Sequence, residues 1–318
     1  MRTLLCSALV GLSLGAGSFG ASAQSAPRST ASSTPWDLCI GAKSSPNERV
    51  SNCTTVIDQK SETGRKLAAA YCNRGHGLNE KGQYDRAIAD LDEAIKLDAE
   101  FACSWVNRGR AYAFKKEYDR AIADYDQAIK IDPKFAMAFN NRGDAWSNKG
   151  NLDRAITDFD EAIKINPSYA IAFGNRGFAY YRKKDFARAI EDYSTEIRIA
   201  PDLLAYINRG NAYRDSEQLD RAEADYAAVI KMAPGDARGW RNRGLIRLFK
   251  GDHKGGIADY TKALQYDPAD VFSWNNRGQA KMRAGDKQGA IADFKKALEL
   301  QPDLSTARKS LAELEKKK

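Results

Sequence analysis

The chain reads as an all-α protein: a right-handed α-solenoid of about seven tandem helix-turn-helix repeats with a cap at each end. Three observations predict it. A tripeptide recurs as Asn73-Arg74-Gly75, Asn107-Arg108-Gly109, Asn141-Arg142-Gly143, Asn175-Arg176-Gly177, Asn208-Arg209-Gly210, Asn242-Arg243-Gly244 and Asn276-Arg277-Gly278, at spacings of 34, 34, 34, 33, 34 and 34 residues. Pro133, Pro167, Pro201, Pro234, Pro268 and Pro302 keep the same beat. Each period also holds two amphipathic stretches of helical spacing, and such units bury their apolar faces only by stacking on neighbours.

The second unit shows why each element is expected. Trp105, Gly109 and Tyr112 mark the apolar face of a helix A over about 102–115. A turn follows, held in other units by Gly82, Gly150, Gly251 or Gly285. Ala121, Ile122, Tyr125, Ala128 and Ile129 form the apolar stripe of a helix B over about 119–131. Asp132-Pro133 ends it, because proline disfavours helix in the residue before it. Gly109 and Ala121 let the two helices approach closely, with Tyr125 filling the space beside them.

The flanks follow. Residues 1–23 carry Arg2, an uncharged run from Leu4 to Phe19 and an Ala21-Ser22-Ala23 cleavage pattern, so they are read as a signal peptide; an uncleaved anchor is the alternative. Residues 24–36, rich in Ser, Thr, Ala and Pro, are expected to be a flexible linker. Residues 37–67 look like a partial repeat that caps the stack, and 305–318 like an amphipathic capping helix with Ala307, Leu311 and Leu314 inward. Four cysteines follow the cleavage site. In an oxidising compartment Cys39 and Cys53 are expected to bridge the two halves of the cap. Cys72 and Cys103 form a second bridge or are two small buried residues.

The repeat resembles the tetratricopeptide family, over residues 68–304 in seven units: 68–101, 102–135, 136–169, 170–202, 203–236, 237–270 and 271–304. The matching positions are the large residue of helix A (Tyr71, Trp105, Phe139, Phe173, Tyr206, Trp240, Trp274), the small residue of helix B (Ala87, Ala121, Ala155, Ala189, Ala222, Gly256, Ala290) and the large residue after it (Leu91, Tyr125, Phe159, Tyr193, Tyr226, Tyr260, Phe294). Three departures stand out. Glu196 replaces the second small residue of helix B, the loop from Pro201 to Asn208 is one residue short, and Ala99 stands where later units have proline. The first two coincide, so different packing is expected where the fourth unit meets the fifth.

Two ladders run through the repeats. Arg74, Arg108, Arg142, Arg176, Arg209, Arg243 and Arg277 are each followed sixteen residues later by Asp90, Asp124, Asp158, Asp192, Asp225, Asp259 and Asp293, which suggests an ion pair tying helix A to helix B. The other ladder is Asn73, Asn107, Asn141, Asn175, Asn208, Asn242 and Asn276. It lies off the core face, beside residues of changing chemistry that include Arg110, Phe114, Phe178, Arg182, Arg238, Phe249, Phe272 and Arg283.

The resemblance implies that helices A line a concave groove, where an amide that both donates and accepts would match a peptide bond. The row is similar to the asparagine ladder in the repeat arm of protein O-linked N-acetylglucosamine transferases, a resemblance to that arm only. Asparagines that bond only the neighbouring repeat are the alternative. The family's clamp for a C-terminal carboxylate, which needs Lys or Arg beside the Asn in three successive units, is poorly matched: Arg238 with Asn242 supplies one fragment, but Ile207 and Gly174 stand where bases are needed.

Composition narrows the function. The net charge of +8 is spread among interleaved acids and bases, without the basic stripe expected of a nucleic-acid binder. Two distant histidines, His76 and His253, and no suitably spaced nucleophile argue against catalysis, and no cofactor or metal site is expected. The expectation is a periplasmic or secreted, non-enzymatic adaptor, monomeric without its partner, that binds a protein or peptide in its groove. A self-associating or envelope-assembly component and a cell-wall glycan binder are the alternatives.

Overall fold

The computed structural model describes residues 34–316 apart from 42, 43 and 61. The expected signal peptide and nearly all of the expected linker lie outside the described residues. Among those described there are seventeen helices and no strand, in two compact units, Met1–Asn166 and Pro167–Lys318. No described helix is long and apolar enough to cross a membrane.

The first unit contains α1 (Pro35–Ile40), α2 (Pro46–Asp58), α3 (Gly64–Glu80), α4 (Tyr84–Leu97), α5 (Ala102–Phe114), α6 (Tyr118–Ile131), α7 (Ala136–Asn148) and α8 (Leu152–Ile165). The second contains α9 (Ala170–Arg182), α10 (Phe186–Ile199), α11 (Leu203–Asp215), α12 (Leu219–Met232), α13 (Ala237–Phe249), α14 (His253–Tyr266), α15 (Val271–Arg283), α16 (Lys287–Leu300) and α17 (Ser305–Lys316). From α3 onward, odd-numbered helices are A helices and even-numbered ones up to α16 are B helices. The fold class is the all-α helix-pair array of a solenoid.

Each pair closes on a glycine. A Cβ on Gly109 would fall 2.6 Å from the Tyr125 ring, and one on Gly278 2.7 Å from Phe294. Helices A and B therefore touch backbone to ring, and Tyr125, Phe159, Tyr193, Tyr226, Tyr260 and Phe294 are the largest fully buried side chains. The A–B turn needs a left-handed residue. Gly82, Gly150, Gly251 and Gly285 supply it, but Lys116, Lys184 and Glu217 adopt positive φ at the corresponding place.

Within each unit, A helices pack on A helices: α3 on α5, α5 on α7, α9 on α11, α13 on α15. B helices contact the A helices before and after them, not the next B helix to a comparable extent. Within each unit the A helices therefore touch one another more than the B helices do.

The N-terminal cap is a helix pair joined by a disulfide between Cys39 and Cys53, with a Cα–Cα distance of 4.7 Å. Both cysteines are fully buried beside Val56 and Ala70. Helix α1 starts at Pro35, inside the segment expected to be linker, because Thr34 and Asp37 form a reciprocal capping box. Ser45 and Glu48 do the same for α2. Helix α3 begins at Gly64, so the first A helix reaches back into the expected cap region. Cys72 is a free, buried thiol, so a Cys72–Cys103 bridge is not formed. Burial pushes its thiol up to about 11, against a hydrogen bond from Asn107. At the other end α17 buries Ala307 and Leu314 against Phe294 and Ala297.

Candidate protein-binding face

The A helices carry the candidate face, and the arginine ladder holds each of them to its B helix. In all seven pairs the guanidinium donates twice to one aspartate. Arg74 Nε and Nη2 lie 2.7 Å from the two oxygens of Asp90, and the Arg277–Asp293 contacts are both 2.8 Å. Arg108–Asp124, Arg142–Asp158, Arg176–Asp192, Arg209–Asp225 and Arg243–Asp259 repeat the fork. All seven aspartates are buried.

Each guanidinium also lies over the large residue of its own helix A, from 4.7 Å at Trp274 to 5.6 Å at Tyr206. The third nitrogen of several of these arginines reaches the preceding helix pair: Thr54 for Arg74, Asp92 for Arg108, Asp126 for Arg142, Ser194 for Arg209 and Thr261 for Arg277. A second stitch joins Lys115 to Asp85, Lys149 to Asp119 and Lys250 to Asp220. These lysine pairs were not anticipated, although their constant spacing of thirty residues is visible in the sequence.

The asparagines stand on a different side of the A helices, and none is fully exposed. Asn107 is buried, its Nδ2 pointing at the sulfurs of Cys72 (3.3 Å) and Cys103 (3.5 Å), while its carbonyl accepts from Asn79 Nδ2 at 2.8 Å. Asn73 donates to Ala69 O in its own helix at 2.9 Å. Asn141 Oδ1 accepts from Asn140, but its Nδ2 is enclosed without a partner. Asn276 Oδ1 accepts from Asn275 Nδ2. Asn175, Asn208 and Asn242 are partly buried. The row is therefore uneven: anchored at the N-terminal end and less engaged at Asn208 and Asn242.

The neighbours vary as well. Phe178, Phe249 and Phe272 are exposed, Phe272 at 60%. Phe114 is also exposed, but it stacks on Tyr84 of the previous repeat with centroids 5.1 Å apart. Arg238 is held by Asp236 at 2.7 Å, and Arg182 and Arg283 are exposed. Arg110 lies 3.3 Å from His76 Nδ1 in a polar knot with Glu80 and the buried Arg49. Burial, then Arg110 and Arg49, hold His76 down to about 3, which favours its neutral form. Among the described residues no group of three or more His, Cys, Asp or Glu is placed to hold a metal.

This array of helix pairs has clear relatives. Tetratricopeptide repeat models match residues 68–101, 102–135, 271–304 and 207–271, and a TPR repeat model matches 143–184, together more than half of the chain. The chain belongs to the tetratricopeptide repeat family. No curated protein matches the sequence significantly.

Among solved structures, the C-terminal part of a TPR repeat-containing protein from Cytophaga hutchinsonii is 20% identical with a TM-score of 0.62, covering 76% of this chain and 99% of that one. A chain of the APC/C hetero-tetramer Cut9–Hcn1 is 15% identical with a TM-score of 0.60; the match covers 85% of this chain but only 52% of that one, so this chain spans about half its length. YrrB, a TPR protein with an unusual peptide-binding site, is 19% identical with a TM-score of 0.51, covering 58% of this chain and 96% of that one. These likenesses are of fold.

Proposed function

We propose that the protein is an exported, non-enzymatic adaptor that binds an extended segment of a partner protein along the asparagine-bearing face of its A helices. The observation that carries this reading is the row of partly buried amides, Asn208 and Asn242 above all, next to exposed Phe178, Phe249 and Phe272. Apolar side chains left in water beside amide pairs suit a ligand that presents a main chain and an occasional apolar anchor. The family's general role as a scaffold for protein–protein contacts supports it, as does the peptide-binding site named for YrrB. Export is proposed from the N-terminal sequence of residues 1–23 and is consistent with the Cys39–Cys53 bridge. The test is selection of a displayed random dodecapeptide library on the full chain, followed by hydrogen exchange of the complex with a recovered peptide. Slowed exchange in A helices, with B helices unchanged, is expected. Protection confined to B helices, or no recovered peptide, overturns the reading.

A further inference from the structure

The fourth repeat carries a carboxylate where its pattern asks for a small apolar residue. The equivalent positions hold Ala94, Ala128, Ala162, Val229, Ala263 and Ala297, all fully buried. Helix α10 has Glu196 there instead. The facing position of the A helix has changed with it. Other repeats place Cys72, Val106, Asn140, Ile207, Arg241 or Asn275 at that point, and α9 places Gly174. A Cβ on Gly174 would fall 2.5 Å from Glu196 Oε1 and 2.7 Å from Oε2, so the carboxylate lies across the bare glycine. Two departures on two helices fit one another.

The carboxylate has nothing to hold. Oε2 is closed off from water without a hydrogen-bond partner, while the residue as a whole is only partly buried. The charged groups acting on it are negative: Asp202 in the shortened loop and Asp192 on its own helix, the latter already gripped by Arg176. Burial, Asp202 and Asp192 together push Glu196 up to about 7. An unpaired carboxylate in such a place costs stability, and a cation is the group that would offset the cost. Two exposed apolar residues neighbour these positions along the chain. Phe178 is one helical turn from Gly174 on the same side of α9, and Leu204 follows Asp202 by two residues; each is 47% exposed.

We propose that Glu196 forms the floor of a subsite for the Lys or Arg side chain of a bound peptide, the aliphatic stem of that side chain lying along Phe178 and Leu204. The charge complementarity is direct, and long basic side chains pair an apolar stem with a charged head. This inference rests on the peptide-binding reading above and gives it a chemical preference.

The experiment selects the same random dodecapeptide display library in parallel on the full chain and on Glu196→Gln and Glu196→Ala, the second restoring the residue of most other repeats. Circular dichroism and melting confirm that the variants are folded. Peptides recovered on the unaltered chain are expected to be enriched in Lys or Arg at a fixed distance from an apolar residue. Both variants are expected to lose that enrichment, and a peptide chosen on the unaltered chain to bind Glu196→Gln at least about tenfold more weakly. Recovered pools without a Lys or Arg preference, or with the same preference in all three proteins, overturn the subsite and leave the peptide-binding reading standing. Failure to recover any peptide on all three proteins overturns both.

Discussion

Arg108 joins two repeats at once: its Nη1 lies 2.6 Å from Asp92 of the preceding unit while Nε and Nη2 grip Asp124 of its own. The two carboxylates differ in setting. Asp124 is 5% exposed, whereas the Asp92 side chain is 51% exposed. Asp124→Asn leaves a guanidinium without its buried counter-charge and is expected to cost about 2–4 kcal/mol. Asp92→Asn weakens a solvated contact and is expected to cost less than about 1 kcal/mol. Equilibrium urea unfolding of the two variants checks the ranking, and equal losses would contradict it.

Glu196 predicts an unusual pH dependence. Its folded value, about 7, stands above its ordinary 4.5 because burial, Asp202 and Asp192 disfavour the charged form. Its contribution to stability is therefore fully present below about pH 4.5 and is lost as pH rises through about 7. The loss is at most about 3 kcal/mol, lowered by solvent screening because the residue is only partly buried. Glu196→Gln should flatten this part of the profile. Urea midpoints between pH 4.5 and 8 measure it, and an unchanged slope in the variant would contradict it.

The A–B turns make a backbone prediction. Lys184 sits at φ 62° where other repeats use glycine, and the left-handed region is strained for a side-chain-bearing residue. Lys184→Gly should raise stability by about 1 kcal/mol, reduced somewhat by the extra freedom of glycine in the unfolded chain. Gly150→Lys at the equivalent turn, φ 86°, should lower it by a similar amount. Thermal melts of the pair are sufficient.

Reducing the Cys39–Cys53 bridge should act locally. The loop it closes is short, so its removal is expected to cost about 3 kcal/mol, felt in α1 and α2 first. Hydrogen exchange of Cys39→Ser/Cys53→Ser should quicken in 35–58 and leave α13–α17 unaltered. Uniform quickening would contradict this.

Much of the fold was legible in the sequence because it repeats. Seven copies of Gly109 and its equivalents opposite a large B-helix residue mark the same close approach seven times, and the sixteen-residue Arg–Asp spacing marks the fork. Single events were harder to read. Helix α1 begins inside the expected linker because Thr34 and Asp37 cap it, a local bond that composition outweighed. Cys72 stayed a thiol although its spacing allowed a bridge.

The candidate face was legible only as a row of positions. The same asparagine is buried on sulfur at Asn107, folded back on its own helix at Asn73 and less engaged at Asn208, because its varying neighbours decide its partners. Glu196 was visible as a departure, but Gly174, which makes room for it, gained its meaning from the geometry.

The most direct test of the account is calorimetric binding of one library-selected dodecapeptide to the full chain and to Asn208→Ala/Asn242→Ala. If these amides grip a peptide main chain, affinity falls at least about tenfold, with the melting temperature of the free protein nearly unchanged. Unchanged affinity, or a loss that tracks a destabilised fold, would show that the asparagines serve the stack and not a ligand.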